Sequence, residues 1–535
     1  MTSLKKQWFH QWNAEGTGRW SGFIRSSVRF FSLIVIYFLL KTLFFRLATL
    51  SFEAYEEPSI YAGILYKIWN NYILLGAVLL TLVVLNKHLL LKWEDLDKGS
   101  LLRKFLLFIA AILTWRYTFY DYNYFFDQSH LTDRLLLLVF FGMVYWRPVF
   151  LIPFVIAVLA MIGQFEVLMG FSLADPLFLL QLLLLFLAFF FFRILTGYFS
   201  FTAFLYLAGC ILASNYFFSG LGKFNPEWIL NNQIKYLLPA TYSNGWLAGL
   251  NRDTINNLAE SLGWFNLPLK IFTLAVECGL ILFFLRLKLS RYLLMGLIML
   301  HLGIFVFTGI LFWKWMLIHL FFLLFLLKKE IFEGSPYFKP LYFMLSVFLI
   351  LTAYVWNRPV KLVWHDVPMS YTHRFEAETE SGKVYELGPD FFSPYDYQFT
   401  LSNFNYLNRS PRLGIVWGAT GDPEVSGFFN TSRSVEEILE FEKEHGYSIY
   451  NEKQKEAFVD FVRDFTSHRN QKNTNTSYLS FLKAPDLLWT FSGDPSSQPE
   501  DKISFIRVVQ ITTYYSEEKG YQEIRRELVL EITIS

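Results

Sequence analysis

From position 177 to 192 the chain reads LFLLQLLLLFLAFFFF, with Gln181 as the one polar side chain. Such a stretch has no polar face to turn toward water, so it belongs in the middle of a large core or in a bilayer. Repetition decides between the two. Similar apolar cores occupy 30–45, 72–85, 105–118, 135–145 and 149–168 before it, and 199–218, 271–285, 292–311, 312–327 and 342–356 after it. A hydrocarbon layer of ~30 Å takes ~20 mostly apolar residues per helix. Charged residues are only 17% of the chain, below the ~25% of soluble domains. Residues 1–356 are therefore expected to form an α-helical polytopic membrane bundle of 9 to 11 spans, the lower count applying where adjacent segments such as 135–145 and 149–168 are re-entrant.

Disorder, coiled coil and collagen are excluded by 59 Phe, 30 Tyr and 16 Trp, which bring more apolar surface than such states can leave unburied. The net charge of +2 hides an asymmetry, because residues 357–535 hold 19 basic and 27 acidic side chains and residues 1–356 hold 28 and 18. A basic excess beside membrane spans is what topology and lipid head groups require, so nucleic-acid binding is not read from it. The first span follows Lys5, Lys6, Arg19, Arg25 and Arg29. It reads as a retained anchor with a cytoplasmic N-terminus. Alternating from there through eleven spans puts 18 of the 28 basic residues on the cytoplasmic side, as the positive-inside rule asks. The loop 219–270 and the tail then share the extracytoplasmic face of a plasma or inner membrane. The two cysteines, Cys210 and Cys278, fall in apolar spans, against both a disulfide framework and a thiolate metal site.

The tail, 357–535, changes period. Residues 371–387 alternate around Glu380-Ser381-Gly382, and 503–514 with 521–534 also read as strands. Helices are expected over 434–445, opened by Ser434 with Glu437 three residues on, and over 452–465. Polar loops are expected at 466–477 and 492–502. The tail is thus a small extracytoplasmic α+β domain.

Ionisable groups inside apolar spans cost free energy unless they are partnered, which makes them the first candidates for a site. Lys223 ends the seventh apolar core, where partial withdrawal from water would favour a neutral amine able to act as a base; snorkelling to lipid phosphate is the plainer alternative. His301 and His319 lie in the ninth and tenth cores, and Glu277 in the eighth, as a site carboxyl or as a structural partner of another helix. Trp228 reads as an interfacial aromatic. Between the third and fourth cores, Arg116, Asp121, Asp127, His130, Asp133 and Arg134 accompany seven aromatics at 117–126; most of these groups are expected to form a solvated loop, with one of them lining a site as the alternative. No HExxH, Cys-x-x-Cys, Walker lysine or dinucleotide fingerprint occurs, so metal and nucleotide chemistry are not indicated.

Tyr216-Phe217-Phe218-Ser219-Gly220-Leu221-Gly222-Lys223-Phe224-Asn225-Pro226-Glu227-Trp228, followed about seventy residues later by His301-Leu302-Gly303-Ile304-Phe305-Val306-Phe307-Thr308-Gly309-Ile310, resembles the horizontally transferred transmembrane domain (HTTM) family, which includes the vitamin K-dependent γ-glutamyl carboxylases. The resemblance spans roughly residues 20–330. It implies that Lys223 matches the lysine that deprotonates vitamin K hydroquinone, that His301 matches the later intramembrane histidine, and that His130 corresponds loosely to an earlier one. It further implies a lyase that uses reduced vitamin K or menaquinol with O2 and CO2, without a metal, on a protein or peptide substrate at the extracytoplasmic side, with Trp228, Glu277 and His319 as binding candidates. Two departures stand out: Gly222 occupies the place of a second lysine in the carboxylases, and the 179-residue tail is smaller than their lumenal region. The competing expectation is a non-catalytic membrane module whose tail binds an envelope or secreted partner. A transporter ranks third, since no duplicated halves or paired broken helices are evident.

Overall fold

The computed structural model describes residues 18–86, 90–120, 122–167, 177–401, 403–432, 434–472, 482–483, 499 and 501–534. Asp121, most of the expected loop 492–502 and part of 466–477 lie outside the described residues. Five helices are long and apolar enough to cross a membrane: Trp20–Ala48, Pro148–Glu166, Leu177–Thr196, Phe201–Lys223 and Leu287–Thr308. Two further pairs pass the same test together, Ile60–Trp69 with Tyr72–Val83, bent by 99°, and Arg252–Trp264 with Asn266–Leu282, bent by 64°. Five to seven such helices make this a membrane protein by length and composition.

The breaks have local causes. Asn71 opens the second half of the first pair, its side chain accepting from Leu74 N at 3.1 Å, and an asparagine cap is worth more before a new helix than inside an old one. In the second pair Asn266 turns its amide outward to hold the preceding loop: its carbonyl accepts from Ile234 N at 2.9 Å and its nitrogen donates to Asn232 O at 3.1 Å. The other expected apolar cores are also helical, as Gly99–Thr118, Leu131–Trp146, Trp313–Phe321 and Pro340–Leu351.

The tail is built on a four-stranded antiparallel sheet of order β3-β2-β6-β7, with β2 at Met369–Thr379, β3 at Val384–Leu387, β6 at Ile503–Ser516 and β7 at Gly520–Thr533. Gly382 and Gly520, at φ +79° and +63°, supply the left-handed backbone in the two hairpin connections. A second small sheet, β1-β5-β4, joins β1 at His365–Asp366 to β5 at Ala419–Thr420 and β4 at Ile415–Val416. The helix Val435–His445 begins at the expected cap, Ser434 Oγ accepting from Glu437 N at 3.2 Å.

Two expectations need correction. The helix from Glu452 does not end at Phe465 but runs to Lys472. Its polar last turns are satisfied by neighbours rather than by water: Asn470 brackets Ile503 with bonds of 2.8 and 3.0 Å, and Arg469 stacks 3.9 Å from the Phe391 ring centroid. Nor is the segment 116–134 a solvated loop. Arg116, Asn123, His130 and Asp133 are buried, and the tail packs on them through Phe125 against Phe461 at 4.7 Å, Tyr124 against Phe465 at 5.4 Å and Lys472 against Asp127 at 2.9 Å. One apolar core therefore continues from Phe30 in the first helix to Ile534, just after the last strand.

Candidate functional site

The helix Phe201–Lys223 starts with Ser200, whose hydroxyl accepts from Ala203 N at 3.4 Å, and ends on Lys223 because the chain restarts immediately. Asn225 caps the short helix Pro226–Asn231 by accepting from Trp228 N at 2.7 Å, and proline takes the first helical position, where its missing N–H costs nothing. This stop and restart fixes Lys223 at a helix end, 8% exposed. Its Nζ donates to both carboxylate oxygens of Glu277, each at 2.8 Å, from the neighbouring helix Asn266–Gly279. The two helices approach closely because position 220 is glycine: a Cβ there would lie 2.7 Å from Glu277 Cβ and 2.9 Å from Cys278 N.

A strap from the tail covers the same helix end. Residues 357–364 run from the last apolar helix to β1, held by Asn215 Oδ1 accepting from Val360 N at 3.0 Å and by Ser219 Oγ accepting from Leu362 N at 3.1 Å. A Cβ at Gly222 would stand 2.3 Å from Val363 Cγ2. Gly222, the residue that departs from the carboxylase pattern, is thus the seat of the strap. Trp364 lies with its ring centroid 5.9 Å from Lys223 Nζ, and its carbonyl accepts from Trp228 Nε1 at 3.1 Å. Trp228, expected at the lipid interface, is instead 4% exposed and serves as a strap anchor.

Next to the strap sits a buried carboxyl that the sequence reading missed. Asp366 accepts from Asn232 Nδ2 at 2.8 Å and from Trp364 Nε1 at 3.1 Å, while Lys270 Nζ donates to Asn232 O at 2.9 Å. Burial pushes this carboxyl up to about 7, against the opposing pull of those hydrogen bonds and of Lys223 and Lys270. An acid raised in the folded state adds stability that is fully present below its unfolded value and lost as pH rises through the folded one. The thermal midpoint in detergent should therefore fall between about pH 4 and about pH 7, and Asp366→Asn should flatten that fall. An unchanged slope in the variant would assign the fall to other groups.

Two turns before Lys223 on the same face of its helix, Tyr216 forms a second cluster. Its hydroxyl lies 2.6 Å from His301 Nε2 and 3.2 Å from His319 Nε2, so one phenol joins both intramembrane histidines. The two imidazoles are stacked, centroids 5.6 Å apart, among Phe312, Trp315 and Phe178. The structure thus brings Lys223 to Glu277 and His301 to His319, with about 10 Å of helix rise between the pairs. His130 stands in a third place. It precedes the helix Leu131–Trp146 at φ +47°, with Nδ1 3.7 Å from Asp133 Oδ2, and Asp133 itself accepts from Ser59, Ile60 and Tyr61. Tyr216 escaped the sequence reading because a tyrosine in an aromatic run reads as core; its seven-residue spacing from Lys223 was the available signal.

Chemically, Lys223 and Glu277 can pass a proton between them, while the Tyr216 cluster offers hydrogen-bonding groups in apolar surroundings. Among the described residues no group of three or more His, Cys, Asp or Glu could hold a metal ion. No protein-family model, curated protein or solved structure matches this chain.

Proposed function

We propose that this chain is an integral membrane enzyme of the carboxylase-like type, in which Lys223 and Glu277 perform acid–base chemistry on a reduced quinone drawn from the bilayer. The observation that carries the reading is the buried, two-pronged Lys223–Glu277 contact at the end of an apolar helix. The surroundings fit a quinol: two buried imidazoles each keep an Nδ1 without a hydrogen-bond partner, in an aromatic setting. A bound quinol, with O2, would supply the strong base that carbon-acid chemistry needs, with CO2 as the acceptor. The chain's own part is to pass the Lys223 ammonium proton to the Glu277 carboxylate, to receive the ligand's hydroxyl proton at the neutral Nζ so formed, and to exclude water with the strap at Val363 and Trp364.

The same reading counts the spans as eleven, adding Gly99–Thr118, Leu131–Trp146, Trp313–Phe321 and Pro340–Leu351 to the five long helices and the two bent pairs, and keeps the N-terminus cytoplasmic and the tail extracytoplasmic. Contacts between the 219–270 loop and the tail support a common face: Lys235 pairs with Glu517, and Asn256 Oδ1 accepts from Tyr521 N at 2.9 Å. A peptide substrate would reach the site from that side.

One observation favours a non-catalytic module instead. Ser219, Gly220, Gly222, Asn225 and Trp228 all have packing or capping roles in the 219–228 motif, and the ion pair is already closed, as a purely structural pair would be. Oxidation of naphthohydroquinone under air by the protein in nanodiscs separates the two. The double variant Lys223→Met/Glu277→Leu should stay folded and lose at least a hundredfold in turnover. Equal turnover in the variant, or none in the wild type, would leave the module reading.

A further inference from the structure

We propose that His301 and His319 form a recognition site for the hydroxyl group of a membrane-soluble aromatic molecule, with Tyr216 fixing which proton each imidazole carries. The inference deepens the proposed function, on which it rests only for the molecule being a quinol. Its observations are the two stacked, buried rings that share one phenol oxygen through Nε2 and leave both Nδ1 atoms without a partner.

A phenol has one proton. Tyr216 can donate it to one Nε2 and must accept from the other, so one ring is an Nε2 acceptor and the other an Nε2–H donor. A neutral imidazole holds a single N–H. The first ring therefore carries its proton on Nδ1, and the second ring has a bare Nδ1. The cluster's unmet demand is thus one acceptor for a buried N–H and one donor for a buried lone pair.

That parity selects the ligand chemistry. A hydroxyl both donates and accepts, and so answers both Nδ1 atoms. A quinone carbonyl or an ether only accepts, and an ammonium only donates; each would leave one Nδ1 unanswered, which is costly where water is absent. Phe312 beside His301 and Trp315 beside His319, with Phe178 stacked on Trp315, favour an aromatic carrier over an aliphatic one. All three polar members come from different helices, Phe201–Lys223, Leu287–Thr308 and Trp313–Phe321, so the arrangement is set by the bundle and not by a local turn.

The test uses full-length protein in nanodiscs, labelled with 15N-histidine, with the His301 and His319 signals assigned from His301→Gln and His319→Gln. Solid-state NMR should show opposite tautomers on the two rings. Both Nδ1 signals should move on adding tetramethylhydroquinone kept reduced under argon, and its dimethyl ether should bind at least tenfold more weakly. Tyr216→Phe should abolish the opposition of tautomers while the protein keeps its thermal midpoint within a few degrees. The same tautomer on both rings, or equal binding of hydroquinone and ether, overturns the proposal. Opposite tautomers that ignore the hydroquinone overturn it as well, since a resident water is then the partner. Hydroquinone bound without turnover would sink the enzymatic reading and leave this site standing.

Discussion

Lys223→Met alone should destabilise the folded protein by about 3–5 kcal/mol, because it leaves the Glu277 carboxylate buried without its partner. Both side chains are nearly enclosed, 11% and 7% exposed, so water cannot replace the lost contact. Glu277→Leu should cost less. A lysine at a helix end can swing its amine toward the interface, whereas a buried carboxylate on the short stem of Glu277 cannot. The double variant should recover most of the loss, since two apolar side chains of similar volume often match or exceed a buried ion pair. Thermal unfolding in detergent, run as a double-mutant cycle, measures this coupling. Additive effects would mean that the two groups do not face each other in the membrane. Recovered stability with lost turnover is the combination that a catalytic pair predicts and a scaffold does not.

How far the sequence could be read follows from which interactions are local. The apolar cores lie on helices because length and hydropathy are properties of a single segment, and the strands 371–387, 503–514 and 521–534 kept their places because period two and a glycine turn are local as well. Lys223, Glu277, His301 and His319 were legible one by one as ionisable groups in apolar company. Their pairing was not, since Lys223 and Glu277 are 54 positions apart and Tyr216 and His301 are 85 apart. Nothing local says that the Lys223 amine ends against the Glu277 carboxylate while the two imidazoles gather on Tyr216. The strap was invisible for a different reason. Its hold on Asn215 and Ser219 is through backbone N–H groups of Val360 and Leu362, which every residue carries. The polar stretches 116–134 and 466–472 misled because polarity says that a group needs partners and not whether they come from water or from the tail.

Gly220→Ala should destabilise the protein and Gly303→Ala should be harmless, although both glycines belong to the two motifs that carry the family resemblance. At 220 the new Cβ would meet Glu277 Cβ at 2.7 Å and the Cys278 backbone nitrogen at 2.9 Å. A backbone nitrogen inside a helix cannot step aside alone, so the whole helix Asn266–Gly279 must move and carry Glu277 away from Lys223. Overpacking of this kind costs about 1–3 kcal/mol, to which the weakened ion pair adds. At 303 nothing lies within 4 Å of the added carbon, and alanine gains about 0.5–1 kcal/mol over glycine inside a helix. Thermal midpoints should therefore move in opposite directions, and hydroquinone turnover should fall only in Gly220→Ala. The comparison isolates helix spacing as the variable, because neither substitution removes a polar side chain. Loss of turnover at 220 with an unchanged midpoint would still place the chemistry at the Lys223–Glu277 contact, whereas matching midpoints and matching turnover at both positions would mean that the close approach of these two helices does not exist.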